Sequence, residues 1–164
     1  MMSLLLTVAI SIAAPATQAT DTWVYGEASN YCIAFFRQGP AQLVIRFSAK
    51  TADDTVQVWR PGLPSLTKGI EKRDQATAAS RRYDLSLVLA GKTIPLTSQT
   101  GELKPKSVRG IAYMLGVDER SFIDALATGE TLEVRHGGLP VATYRIAEYA
   151  TLANRLAACT APAR

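Results

Sequence analysis

The chain has 164 residues, 48% of them apolar and 20% charged, with a formal net charge of +4 at pH 7. That length holds one hydrophobic core and leaves little for a second, and the balance excludes wholesale disorder. A single histidine, His136, excludes histidine-rich metal sites and any catalytic triad that needs a histidine elsewhere.

Residues 4–14 form an apolar run of the length of a signal-peptide core. Ala14-Pro15-Ala16 follows as an A-x-A cleavage pattern, with Thr17-Gln18-Ala19 as a second. The run is shorter than the roughly 20 apolar residues of a transmembrane helix, and no later segment is apolar for long enough to span a bilayer. Met1-Met2-Ser3 carries no basic residue, so either the terminal amine serves alone or the start lies upstream. We expect residues 1–19 to be a secretory signal, cleaved after Ala16 or Ala19, and residues 20–164 to be one globular domain, periplasmic or secreted. In an oxidising compartment Cys32 and Cys159 are expected to form one disulfide, since the C-x-x-C of a redox pair is absent.

Past the leader, Trp23 and Tyr25 alternate as on a half-buried strand, and residues 31–36 are a dense apolar run expected to be a central strand. Gln38-Gly39-Pro40 turns the chain. Leu43, Ile45 and Phe47 then alternate with Arg46 and Ser48, and Val56 and Val58 mark a further short strand. Strands at such close spacing point to an antiparallel sheet rather than βαβ units. Residues 61–82 break the pattern with Pro61, Gly62, Pro64 and Gly69, then a polar tract with room for a short helix over residues 74–80. Tyr83, Leu85, Leu87 and Leu89 make the clearest alternating strand, Ala90-Gly91-Lys92 reads as a hairpin turn, and residues 93–96 return. Residues 97–106 read as a second polar loop and residues 108–115 as another strand.

The last third reads helix, hairpin, helix. Asp118 is placed to N-cap a helix carrying Phe122, Ile123, Ala125 and Leu126, and Gly129 stands where a C′ glycine ends one. Leu132, Val134 and His136 alternate, Gly137-Gly138 turns, and residues 141–146 return. From residue 148 the period is helical, with Leu152, Leu156 and Cys159 on one face. The expected fold is therefore mainly β with two short helices: an antiparallel sandwich-like domain whose C-terminal helix is tied to the sheet by Cys32–Cys159.

Candidate chemistry is sparse. Ser65-Leu66-Thr67-Lys68 matches S-x-x-K, in which a lysine one helical turn from a serine takes its hydroxyl proton. Pro64 and Gly69 flank it, and S-D-N and K-T-G partners are missing. His136 is expected to face solvent beside its turn, and Asp53-Asp54 to solvate theirs, with a share in binding a cation as the alternative. Trp23, Trp59, Tyr144 and Tyr149 are expected chiefly in the core or at its rim, with a ligand groove as the alternative. No cofactor or metal motif is present, and neither group is expected.

Charge is the strongest feature outside the core. Residues 60–82 hold six basic side chains (Arg60, Lys68, Lys72, Arg73, Arg81, Arg82) against Glu71 and Asp74, so this segment alone carries +4. Lys104, Lys106 and Arg109 are candidates to extend the patch. No aromatic is interleaved between residues 68 and 82 as a base-stacking platform, so nucleic acid is not the expected partner. An anionic glycan, a lipid headgroup or an acidic protein surface is, with Lys68, Lys72, Arg73, Arg81 and Arg82 as the binding residues.

The last third, with Phe122-Ile123-Asp124-Ala125-Leu126, Gly129, Leu132-Glu133-Val134 and the alanine–leucine run over residues 150–156, resembles the invasion-associated locus B family of exported bacterial proteins. An early Trp23 followed by Cys32 adds to the likeness. The resemblance implies a β-sandwich, a periplasmic or surface-associated accessory role and no catalytic residues. The expected function is a non-enzymatic envelope or secreted binding protein acting through its basic loop. A small secreted hydrolase or an enzyme inhibitor working through a loop is the alternative.

Overall fold

The computed structural model describes residues 22–28, 31–48, 54–66, 83–97, 101–104, 106 and 109–161. In chain order the strands are β1 (Thr22–Ala28), β2 (Tyr31–Gln38), β3 (Ala41–Ser48), β4 (Thr55–Trp59), β5 (Leu85–Leu89), β6 (Lys92–Ile94), β7 (Gly101–Leu103) and β8 (Ala112–Gly116). Helix α1 (Glu119–Leu126), strands β9 (Thr131–His136) and β10 (Leu139–Arg145), and helix α2 (Tyr149–Thr160) complete the chain. The strands form two antiparallel sheets: six strands in the order β1-β2-β3-β4-β8-β7 and four in the order β10-β9-β5-β6.

Period-two alternation decides which faces meet. Cys32, Ala34 and Phe36 of β2, Leu43, Ile45 and Phe47 of β3, and Val56 and Val58 of β4 are all fully buried on one side of the larger sheet. Leu87 and Leu89 of β5, Leu132 and Val134 of β9, and Tyr144 of β10 supply the facing layer, and all belong to one continuous core. The opposite face of the larger sheet is not purely polar. Val24, Phe35 and Val44 stand in one transverse row on it, and the Arg46 guanidinium lies 4.6 Å from the Tyr31 ring centroid.

The β9–β10 hairpin turns at Gly137-Gly138 with φ of 59° and 78°, the paired positive values of a type I′ turn that glycine adopts without strain. The β5–β6 turn at Ala90-Gly91 has the same sense, with a non-glycine residue at φ 51°. After β6 the chain crosses between sheets. Leu96 bridges Val117, and β7 then pairs with β8. Residues 101–103 are thus a strand where the sequence reads as loop. An edge strand three residues long takes its stability from the ladder to β8, and that requires no apolar alternation. β8 begins at Ala112, four residues later than the pattern predicts.

Helix α1 starts as expected: the Asp118 side chain accepts from the Ser121 backbone N–H at 2.8 Å. Its end differs. Ala127 is the C-cap, and Gly129 does not have a positive φ. What Gly129 provides is proximity, because a Cβ there would lie 2.6 Å from the Ala90 Cβ. Helix α2 buries Leu152, Ala153 and Leu156, and Cys159 bonds to Cys32 of β2 with Cα atoms 6.2 Å apart. Residues 1–19 and the five basic-loop residues Lys68, Lys72, Arg73, Arg81 and Arg82 lie outside the described residues.

Candidate functional site

Register gathers charge at one end of the six-stranded sheet. Arg37 pairs with Gln42, Gln42 with Trp59, Trp59 with Ala112, and Ala112 with Leu103. Arg60 and Lys104 directly follow two members of this row, and Arg109 lies just ahead of β8. The row spans five adjacent strands, hence roughly 19 Å at the usual strand spacing. Arg37, Arg60, Lys104, Lys106 and Arg109 are all exposed. The ion pairs among the described residues, Arg135 with Glu133 and Arg145 with Glu130, involve none of them. Neighbouring charges along the row reinforce one another's potential within about one Debye length, 8–10 Å at ordinary salt, and those at its two ends are largely screened from each other.

Among the described residues, the acid on the last strand of this row is engaged elsewhere. Glu102 of β7 accepts from the Ser65 hydroxyl at 3.0 Å and from the Leu66 backbone N–H at 2.7 Å. Beside it the Tyr113 hydroxyl donates to the Pro64 carbonyl at 2.5 Å. Burial, and then the Glu102 charge, push the Tyr113 phenol up to about 12, so it remains a donor at neutral pH. These contacts hold residues 64–66 against β7 and β8.

The other sequence candidates resolve differently. Ser65 and Leu66 lie in a loop and turn rather than a helix, and Lys68 is outside the described residues, so the S-x-x-K geometry has no support. His136 is half-buried at the end of β9, paired with Leu85 and Leu139, rather than fully solvent-facing. Asp54 is a correction. It is buried, its carboxylate accepts from the Ser48 N–H at 2.8 Å, and its carbonyl accepts from the Val117 N–H at 3.0 Å. A buried backbone donor at the strand end needs an acceptor, and Asp54 supplies it. Asp53 lies outside the described residues.

The four aromatics do not line one groove. Trp23 stacks on Phe36 with centroids 4.7 Å apart and donates to the Ala147 carbonyl at 2.8 Å. Tyr144 is fully buried in the core, and Tyr149 packs against it. The Trp59 indole nitrogen is buried without a hydrogen-bond partner among the described residues. Concavities do exist. One of about 290 Å³ lies beside the basic row, lined by Gln38, Pro40, Ala41, Arg60, Pro61 and Thr143. Another, of about 200 Å³, lies between β1 and α2. Among the described residues no helix is long and apolar enough to cross a membrane.

No known family model, curated protein or solved structure matches the chain.

Proposed function

We propose that this is an exported, non-enzymatic accessory protein that binds an anionic partner through the basic end of its larger sheet. Arg37, Arg60, Lys104, Lys106 and Arg109 form the described part of the surface; Lys68, Lys72, Arg73, Arg81 and Arg82, outside the described residues, are the binding residues read from the sequence. The partner is an anionic glycan, a lipid headgroup or an acidic protein surface. One observation carries the reading: strand register collects five exposed cations at one end with no ion pair among the described residues, and the adjoining Glu102 is engaged by Ser65 and Leu66. The disulfide supports export, because such bonds persist in oxidising compartments. The likeness of the last third to the locus B family supports an envelope role.

The test is retention of the oxidised protein on a sulfated glycan matrix, on vesicles containing anionic phospholipid and on immobilised polyglutamate, each over a salt gradient. One variant carries Arg60→Gln, Lys104→Gln, Lys106→Gln and Arg109→Gln; a second carries the five tract residues changed to Gln. Retention should fall steeply with salt and fall again in both variants, with the strongest matrix naming the partner class. Equal retention of native protein and variants would overturn the proposal.

A further inference from the structure

The four edges of the two sheets are not alike. β7 and β6 are three residues each, and Pro95 follows β6. β10 carries Pro140 and a register shift between Pro140 and Ala142. Short length, proline and bulges are the devices that stop an edge from pairing with another chain. β1 has none of them. It is seven residues long, TWVYGEA, without proline, lysine or arginine, and it pairs with β2 over seven consecutive positions without a shift. Its other side faces no strand among the described residues. Val24 on this strand is 63% exposed, one of two large apolar side chains so exposed among the described residues, the other being Leu139.

We infer that β1 is the contact for a second copy of this chain, two β1 strands pairing antiparallel across a two-fold axis to join the six-stranded sheets into one. Three observations select a second copy over an unrelated strand. In the register centred on Val24 the strand meets itself with Val24 opposite Val24 of the second copy, Thr22 opposite its Gly26 and Trp23 opposite its Tyr25. On the outer face Gly26 leaves room, since a Cβ there would meet nothing within 4 Å. The row of Val24, Phe35 and Val44 then continues onto the second copy, and the exposed Val24 gains an apolar cover. The edge is also self-complementary in charge. On its inner side the Tyr25 hydroxyl donates to Glu27 at 3.1 Å, and the Arg155 guanidinium lies 5.6 Å from the Tyr25 ring centroid. The hollow between β1 and α2 also holds the exposed Glu148, so acids and a base stand together here, and a two-fold axis can set each against the opposite sign on the second copy.

The experiment uses the oxidised chain as exported and measures its mass by sedimentation across a concentration series, with amide hydrogen exchange at low and high concentration. A concentration-dependent dimer is expected, with β1 amides gaining protection as it forms. Val24→Lys should weaken dimerisation by about tenfold or more, the scale of losing a well-packed interface side chain. Leu139→Lys should leave dimerisation unchanged. The exchange experiment needs no variant, so it decides even if Val24→Lys folds poorly. A monomer throughout would overturn the inference, and so would a dimer in which β1 exchanges as it does at low concentration. Protection of β1 that does not depend on concentration would overturn it as well, and would assign the edge to another segment of the same chain.

Discussion

At the residue scale Tyr144 fastens one sheet to the other through a single hydroxyl. It donates to the Trp59 carbonyl at 2.8 Å and lies 3.1 Å from the Gln42 carbonyl, joining β10 to β3 and β4. Tyr144→Phe leaves two buried carbonyls without that donor and should lower stability by about 1–2 kcal/mol, read as a reduced urea midpoint. Tyr113 and Tyr144 also predict an alkaline limit. Burial raises both phenols above the ordinary 10.0, Tyr113 to about 12 and Tyr144 further in the same direction. Below pH 10 both are neutral folded or unfolded, and their contribution is complete. Above it the unfolded chain releases protons that the folded chain keeps, so stability falls as pH rises, and the Tyr113 contribution is gone at about 12. The urea midpoint, followed against pH, should begin to drop near pH 10, and Tyr113→Phe or Tyr144→Phe should flatten that drop. An equal slope in both variants would mean that other groups set the limit.

At the element scale the β5–β6 turn and the loop between α1 and β9 depend on each other. The Ala90 N–H donates to the Thr131 carbonyl at 2.9 Å, and Ala90 sits at φ 51° directly against Gly129. Gly129→Ala should cost about 1–3 kcal/mol, because the new methyl overlaps the Ala90 methyl and must displace one element. Ala90→Gly removes that methyl and relieves the positive φ. The double variant should therefore be more stable than the sum of the single changes allows, with residual strain from the Ala90 Cα at 3.3 Å. Additive effects in a denaturation cycle would show that the turn moves aside freely. Local sequence identified the N-cap of α1 and the glycine turn of β9–β10, because both are satisfied by bonds within a few residues. It misassigned Gly129, since a close approach to residue 90 leaves no local trace.

For the whole molecule, the Cys32–Cys159 bond spans 127 residues and joins the second strand to the last helix. Closing so long a loop restricts the unfolded chain, and the chain-entropy model assigns it about 4–5 kcal/mol. Reduced protein, or the paired Cys32→Ala and Cys159→Ala variant, should unfold at a markedly lower urea concentration. If oxidised and reduced proteins unfold together, α2 is held by packing, chiefly the burial of Leu152, Ala153 and Leu156, without help from the bond. β1 adds contacts of its own: the Trp23 indole donates to the Ala147 carbonyl just ahead of α2 and the Tyr25 hydroxyl lies 3.4 Å from the Arg155 carbonyl, so packing as well as the bond holds α2 at the start of the sheet.

Alternation, turn residues and helical period were sufficient to read an antiparallel β domain with two helices, and two well-separated cysteines were sufficient to read their pairing. These signals are local, or have only one solution. The candidate site was legible in part. Excess positive charge in residues 60–82 is a property of composition, as is the small number of acids there. Tertiary structure alone decided that Arg37, Arg60, Lys104, Lys106 and Arg109 share one end of a sheet, because strand order β2-β3-β4-β8-β7 is not sequence order. It also decided that Asp54 is an internal acceptor and that β7 is a strand. Those outcomes depend on which distant backbone group arrives beside each residue, and hydrogen bonds between such groups are fixed only when the sheets assemble.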